Sequence, residues 1–259
     1  KRIVRWFADP RLFLSFLLFF NQCSTSSARR DLSKPDLAIH VAALSMSGVS
    51  RRLEKEDVVD LVKILKRERV EVLVVNGLTR YPNVRTRVDL VEDLAAAAEM
   101  RQAFGEMMNN AGRQTVNVVF STYPIRSSDR QSFDGIASAE FEGAVHAFVD
   151  GGVRDIQVVG AQFPPKASSD EESKCVRMIA SKKKAEKRTP VILAGNLPSF
   201  ESTKKAGLFE DTQAFVRNPK AGAPRIWYSG VGLLFARSGR TVNTGLGMMS
   251  VVEFVLFRE

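Results

Sequence analysis

Histidine and cysteine are both nearly missing from this chain, two of each in 259 residues. Cys23 and Cys175 cannot build a disulfide framework, which makes a reducing compartment the default, and they cannot supply a cysteine-rich zinc site. His40 falls early in one apolar segment and His146 inside another. Neither stands at a strand end, where a catalytic imidazole would sit, and both read as hydrogen-bonded strand histidines. The strongly apolar run Leu12 to Phe20 is too short for a membrane span, which needs ~20 residues, so no membrane span is expected. No Gly/Ser linker or internal repeat divides the chain after its first thirty-odd residues. The glycine pairs Gly230-x-Gly232 and Gly245-x-Gly247 have no helix behind them. That argues against a phosphate cradle and for turns. Aromatic residues do not gather around the polar strand ends strongly enough to suggest base stacking.

What is present is a full core and an uneven charge. Hydrophobic residues make up 44% of the chain, enough for one large α/β domain. Of the net charge of +9, residues 1–34 carry +5. The remainder, at +4, is ordinary for its size, and its charge reads as a solvated surface. In the N-terminal arm, Arg2, Arg5, Arg11, Arg29 and Arg30 flank the apolar run, and the chain begins on Lys1 rather than Met. This Arg- and Ser-rich, acid-poor stretch resembles the mature side of an organellar transit segment. Its apolar run and arginines together suggest an anchor that docks in a polyanionic assembly. The expected division is therefore an arm, 1–34, and a domain, 35–259. A second basic cluster, Lys182, Lys183 and Lys184, either grips phosphates or caps a helix C-terminus.

From residue 36 the periodicity alternates. Leu37 to Met46 reads as a strand and Glu54 to Arg69 as a helix, with Val58, Leu61, Val62 and Leu65 on one face. Val70 to Val75 reads as a buried strand. Asp89 to Phe104 reads as an Ala-rich second helix and Val116 to Ser121 as a strand. Phe141 to Val149 and Ile156 to Phe163 read as a hairpin through Asp150-Gly151-Gly152. Glu171 to Glu186 reads as a third helix, and Val191 to Ala194, Ile226 to Ala236 and Ser250 to Phe257 as the last strands. Helices between buried strands imply a mixed α/β domain with sheets inside and helices outside.

Several strand ends carry recognisable wording. Asn117-Val-Val-Phe-Ser-Thr-Tyr-Pro-Ile125 and Pro190-Val-Ile-Leu-Ala-Gly195 resemble segments of the endonuclease/exonuclease/phosphatase (DNase-I-like) superfamily. The resemblance runs in order from about Leu37 to Phe257. It implies a two-sheet α/β/β/α sandwich and a metal-dependent phosphodiesterase site. That site needs a cation held by carboxylates and an amide, a phosphate-stabilising His, and an Asp–His pair acting on water. At each matching position the chemistry is altered. Ser45 stands for the Asn that ends the first strand, Gly77 for the metal-binding Glu and Gln162 for the His of Asn-Thr-His-Leu. Asn196 stands for the Asp of Gly-Asp-x-Asn, and Trp227 for the Asp of Arg-Ile-Asp-Tyr. The Ser-Asp-His loop aligns near Gly247 with neither acid nor His. Asn117 alone is retained. The apolar Leu197, Trp227 and Leu246 suggest that the old cleft is partly filled.

On this reading the chain is a pseudoenzyme, with no catalytic residue, no metal and no cofactor. A scaffold that keeps its core but loses its site is kept for its surface. By analogy with retired enzymes recruited into divergent mitochondrial ribosomes, the expected role is a structural or assembly subunit of a mitochondrial ribosome, in the matrix. Ribosomal RNA and neighbouring proteins would be its partners. Candidate RNA contacts are Arg2, Arg5, Arg11, Arg29, Arg30 and Lys182 to Lys184. Two alternatives stay open. One is a divergent phosphodiesterase or phosphatase with a relocated metal site. The other is a free-standing binder, in the cytoplasm or elsewhere, that uses Ser45, Asn76, Asn117, Gln162 and Asn196 to hold a neutral or anionic ligand.

Overall fold

The computed structural model describes residues 35–258 apart from 48, 50, 85–86, 137–141, 165, 183–188, 199–208 and 230–233. The arm, with Arg2, Arg5, Arg11, Arg29 and Arg30, lies outside the described residues, as do Lys183, Lys184 and the Gly230-x-Gly232 pair.

The domain is built on two mixed sheets. β1 (Leu37–Ser45), α1 (Lys55–Arg67) and β2 (Val72–Arg80) form a parallel pair joined by a helix. α2 (Leu90–Ala98), β3 (Arg101–Asn110) and β4 (Arg113–Ser121) follow. β5 (Ile125–Ser132), β6 (Gly143–Asp150) and β7 (Asp155–Gln162) form an antiparallel meander, and α3 (Ser169–Ser181) carries the chain from β7 to its parallel neighbour β8 (Val191–Asn196). The short β9 (Glu210–Asp211) and β10 (Val216–Arg217) flank a 3-10 turn at Thr212–Phe215. β11 (Arg225–Ser229), β12 (Leu234–Asn243) and β13 (Met248–Leu256) complete the chain. One sheet has the order β10-β12-β13-β1-β2-β4-β3, and the other β5-β6-β7-β8-β11-β9.

Strand alternation sorts the apolar residues into three layers, because successive side chains point to opposite faces. Ile39, Val41 and Ala43 of β1, Val72 and Val74 of β2, and Ile192 and Ala194 of β8 meet in the core between the sheets. Their neighbours Ala42, Leu44, Leu73 and Val75 face outward and pack under α1 and α2, against Val58, Leu61, Leu65, Leu90 and Leu94. Val159, Leu193 and Trp227 pack outward under Cys175, Val176 and Ile179 of α3. The expected burial of Val72, Val74, Ile192 and Leu193 is complete. Helix starts are capped as their sequences imply. Ser168 and Glu171 form a capping box on α3, Glu54 and Asp57 form one on α1, and Asp89 accepts from Val91 N–H on α2.

Three readings of the sequence need correction. The second helix does not reach Phe104. It stops at Ala98, where Glu99 turns left-handed at φ 55°, and residues 101–110 form an edge strand instead. Its period-2 signal, buried Ala103, Gly105 and Met107 alternating with Gln102, Phe104 and Glu106, was masked by helix-favouring side chains. The turn after it, Ala111 (φ 50°) then Gly112 (φ 85°), has the two positive φ angles of a tight hairpin. Second, Ile125–Ser132 is a strand that the hydropathy pattern missed, since Arg126 to Arg130 are all exposed on this sheet edge. Third, Ile226 to Ala236 is not one strand: β11 and β12 belong to different sheets. The third helix is described only to Ser181, with residues 183–188 outside the description. The hairpin through Asp150-Gly151-Gly152 is present, with Arg126 reaching Asp150 at 2.8 Å and Asp155 at 3.3 Å across its base.

Candidate functional site

Two parallel pairs, β1/β2 and β7/β8, end at the same edge of the sandwich, the position at which open α/β sheets collect ligands. Ser45 lies opposite Asn76, and Gln162 opposite Asn196. Most of the sequence-derived positions meet here. Ser45 Oγ is 3.3 Å from Ser47 Oγ, and Ser47 Oγ donates to Gln162 Oε1 at 3.5 Å. Gly247 closes the loop before β13 behind Ser45, whose carbonyl oxygen would lie 3.4 Å from a Cβ at that glycine. Thr244 holds that loop by donating through N–H and Oγ to the Gly247 carbonyl, so Gly245-x-Gly247 is a turn as read.

Gly77 sits at the centre. Its φ is 65°, and the β2/β4 register shifts between Val75 and Leu78, so Asn76-Gly77 form a bulge. A Cβ at this glycine would collide with Ser47 Oγ and lie 2.7 Å from Gln162 Oε1. The space that a glutamate would need is therefore already taken by neutral side chains. Asn117, fully buried, is bonded at both ends of its amide: its Oδ1 accepts from Gly77 N–H at 3.1 Å, and its Nδ2 donates to the Gly143 carbonyl at 3.1 Å. It ties β2 and β4 of one sheet to β6 of the other.

Beside this closed knot lies Asn76, which the resemblance did not single out. It is fully buried, and neither its Oδ1 nor its Nδ2 has a partner among the described residues. Gly195 and Gly160 make room for it. A Cβ at Gly195 would collide with the Ala161 carbonyl and lie 2.5 Å from Asn76 Oδ1. Asn196, one residue on, is exposed.

Trp227, Leu197 and Leu246 do not fill a cleft. Trp227 and Leu197 pack in the layer beneath α3, and Leu246 in the layer beneath α1 and α2. Trp227 pairs across the strands with Leu193 and Asp211, away from Ser45 and Gly77. Lys182 is engaged rather than free: its Nζ donates to Asp129 at 2.5 Å and to the Arg130 carbonyl at 3.0 Å.

The titratable groups also lie elsewhere. His146, under α3, accepts at Nδ1 from Gln157 Nε2 and donates from Nε2 to Gln131 Oε1, both at 2.9 Å. Gln131 in turn donates to the Met178 carbonyl on α3. Burial, helped by the Lys182 charge, lowers the His146 pKa to about 4, which keeps the ring neutral. His40 hydrogen-bonds to Glu71 at the opposite ends of these strands. Burial pushes the Cys175 thiol up to about 12, so it is not a nucleophile at neutral pH.

A separate cavity of about 410 Å³ opens where β8 ends and β11 begins. Asn196, Gln213, Lys220 and Arg225 line it, with backbone from Gly195 and residues 219–224, and no carboxylate is among the lining residues. Sequence reasoning singled out Asn196 and passed over Arg225, the first residue of the Arg225-Ile-Trp-Tyr228 segment, while Gln213 and Lys220 carry no motif.

With this geometry established, the comparisons with known proteins bear on the fold. No protein-family model matches the chain, and no curated protein matches it. Solved structures do. An endonuclease/exonuclease/phosphatase from Beutenbergia cavernae superposes with a TM-score of 0.64 at 15% identity, covering 85% of this chain and 72% of that one. TDP2 from D. rerio, complexed with single-strand DNA product, gives 0.62 at 15%, covering 85% and 99%. A mannosyl-6-phosphatase from Bacteroides thetaiotaomicron gives 0.63 at 9%, covering 84% and 100%. The chain has the endonuclease/exonuclease/phosphatase fold. The α/β/β/α sandwich expected from the resemblance is thus found.

The metal that this fold's resemblance implies does not fit the donors present. The positions offer two glycines, three amides, a serine and a buried indole, and a hard cation needs oxygen ligands with carboxylate charge among them. Among the described residues, no group of three or more His, Cys, Asp or Glu side chains is placed to hold a metal ion. No helix among them is long and apolar enough to cross a membrane.

Proposed function

We propose that this protein is a non-catalytic member of its fold that acts as a structural or assembly subunit of a ribonucleoprotein. A mitochondrial ribosome or its precursor, in the matrix, is the setting that fits best. The observation that supports the non-catalytic part is at Gly77: the position that the resemblance gives to the metal-binding Glu has no side chain, and the neutral Ser47 and Gln162 side chains meet beside it. Asn117 supports the same reading, because it is spent on joining the sheets. The partner part rests on the sequence of the arm, where +5 of the net charge accompanies a strongly apolar run. Such a segment is best satisfied with its apolar side chains on protein and its arginines on phosphates.

Two measurements test this. Hydrolysis of DNA, RNA, abasic sites and phosphate monoesters in Mg²⁺ or Mn²⁺ should stay at the blank. Metal-dependent turnover abolished by changing Asn117 would overturn the reading. In sedimentation of an extract, the full chain should travel with a large ribonucleoprotein particle, and a form lacking residues 1–34 should be folded but released. A truncated form that stays fully bound would remove the arm from the account.

A further inference from the structure

The cavity between the ends of β8 and β11 has a chemistry opposite to that of a metal site. Two cations, Lys220 and Arg225, and two amides, Asn196 and Gln213, line it without a carboxylate. A site of this composition repels divalent cations and attracts anions. Lys220 has no acidic partner among the described residues and is exposed. Arg225 is only loosely screened, with its Nη1 3.7 Å from Asp211 Oδ2. Asp211 is occupied on its other side by the Gln213 backbone N–H at 2.9 Å. The side chains of Asn196 and Gln213 are exposed and make no hydrogen bond to other described residues, which leaves donors and acceptors for a polar ligand.

The neighbouring acid does not offset this character, because Glu210 is held by the Tyr228 hydroxyl at 2.6 Å. Two cations and two uncommitted amides at one cavity suit a nucleotide: phosphate on the cations, base edge on the amides.

We infer that this cavity is a metal-independent nucleotide-phosphate site, in which Lys220 and Arg225 hold the phosphate and Asn196 and Gln213 contact the rest of the nucleotide. It deepens the reading above by naming a second point of RNA contact besides the arm, and it does not require the arm. The volume suits one nucleotide. The shared chemistry leaves two sources, a nucleotide within single-stranded RNA or a free mononucleotide, and these are separable by experiment.

The test is fluorescence anisotropy of the full chain with a labelled short oligouridylate, in EDTA, with competition by AMP. Lys220→Glu should weaken oligonucleotide binding by about tenfold, and Lys220→Glu with Arg225→Gln should abolish binding at the cavity, leaving only the salt-sensitive contribution of the arm. Repeating the titration without residues 1–34 isolates the cavity. Lys63→Glu on α1, paired only with Asp60, gives the same change of charge at another place and should leave binding as it was. Because Arg225 also faces Asp211, Arg225→Lys should keep both the fold and most of the affinity. Competition by AMP at comparable concentration assigns a free mononucleotide. Binding of the oligonucleotide without competition assigns RNA.

The inference is overturned if the full chain binds neither probe, if binding needs Mg²⁺, or if Lys220→Glu and Lys63→Glu behave alike. Failure here is distinct from failure of the proposed function. A double variant that no longer binds nucleotide but still sediments with the particle leaves the subunit role standing. A chain that binds nucleotide at the cavity yet never sediments with a particle does the reverse.

Discussion

The β1–α1–β2 and β7–α3–β8 units have the same construction, a parallel pair with a helix on the outer face, and both deliver the end of their second strand to one edge. Yet the two ends differ. The first finishes in a closed knot: Gly77 N–H is tied to Asn117, and the space above it is occupied by Ser47 and Gln162. The second finishes in exposed Asn196, at the mouth of a cation-lined cavity. Both strand ends depart from the wording of a metal-dependent hydrolase, one Glu to Gly and one Asp to Asn. The first departure is built into the packing, whereas the second lies on the surface. The two glycine- and amide-bearing strand ends therefore sit in different surroundings, one against neighbouring side chains and one open to solvent.

The sharpest way to break this comparison is to restore the acids. Gly77→Glu puts a side chain at φ 65° and against the ends of Ser47 and Gln162, and should cost about 2–4 kcal/mol. Thermal denaturation reads this directly, and a variant as stable as the parent would show that the knot is loose. Calorimetry with Mg²⁺ should find no site in whatever fraction folds.

Removing the staple tests the same end from the other side. Asn117→Ala leaves the Gly77 N–H and the Gly143 carbonyl buried without partners and opens a small cavity, so a loss of about 3 kcal/mol is expected in denaturant titration. A loss below about 1 kcal/mol would mean that the inter-sheet hydrogen bonds are dispensable.

Next to the second unit, on β6, His146 forms a buried node bonded to Gln157 of β7, and there the lever is pH. The folded-state pKa is lowered to about 4 from 6.5, so the unfolded chain takes up a proton that the folded chain refuses. The contribution of this group is intact above pH 6.5 and is lost as pH falls towards 4, by up to about 3 kcal/mol. The cause is burial, with the Lys182 charge adding to it. Carboxylates also titrate in this range, so the measurement is the difference in stability between the parent and His146→Gln across pH 4 to 7. That difference should shrink as the pH falls, and a constant difference would contradict the assignment.

The smallest effect is expected at the open end. Asn196→Asp restores an acid on an exposed side chain and should change stability by less than about 0.5 kcal/mol. A large destabilisation would show that this end is packed as tightly as the first and would erase the contrast.

Much of the scaffold was legible because its signals are local. The spacing of Val58, Leu61, Val62 and Leu65 marks an amphipathic helix without reference to anything else, and Asp150-Gly151-Gly152 marks a hairpin. The edge strands were not legible in the same way. β5 has a nearly uniform polar surface, and it is a strand because β6 pairs with it, not because its residues alternate. β3 carries residues suited to a helix, and pairing with β4 decides its state.

The site divides along the same line. The amino-acid sequence by itself determined which chemical groups are available at these positions: two glycines, three amides, a serine and an indole, with no carboxylate or imidazole among them. It also determined where the excess charge lies. Only the tertiary structure decided what became of the vacated positions. Whether the space at Gly77 is open or filled depends on Ser47 and Gln162, which are 115 residues apart in the chain. Whether Asn117 is free depends on the Gly143 carbonyl in the opposite sheet. Lys220 carries no motif and Arg225 only opens one, and neither marks a cavity until the end of β8 brings Asn196 to the same lining. Side-chain identity is a property of one position, but occupancy of space and satisfaction of hydrogen bonds are properties of several elements together, and those exist only once both sheets have met.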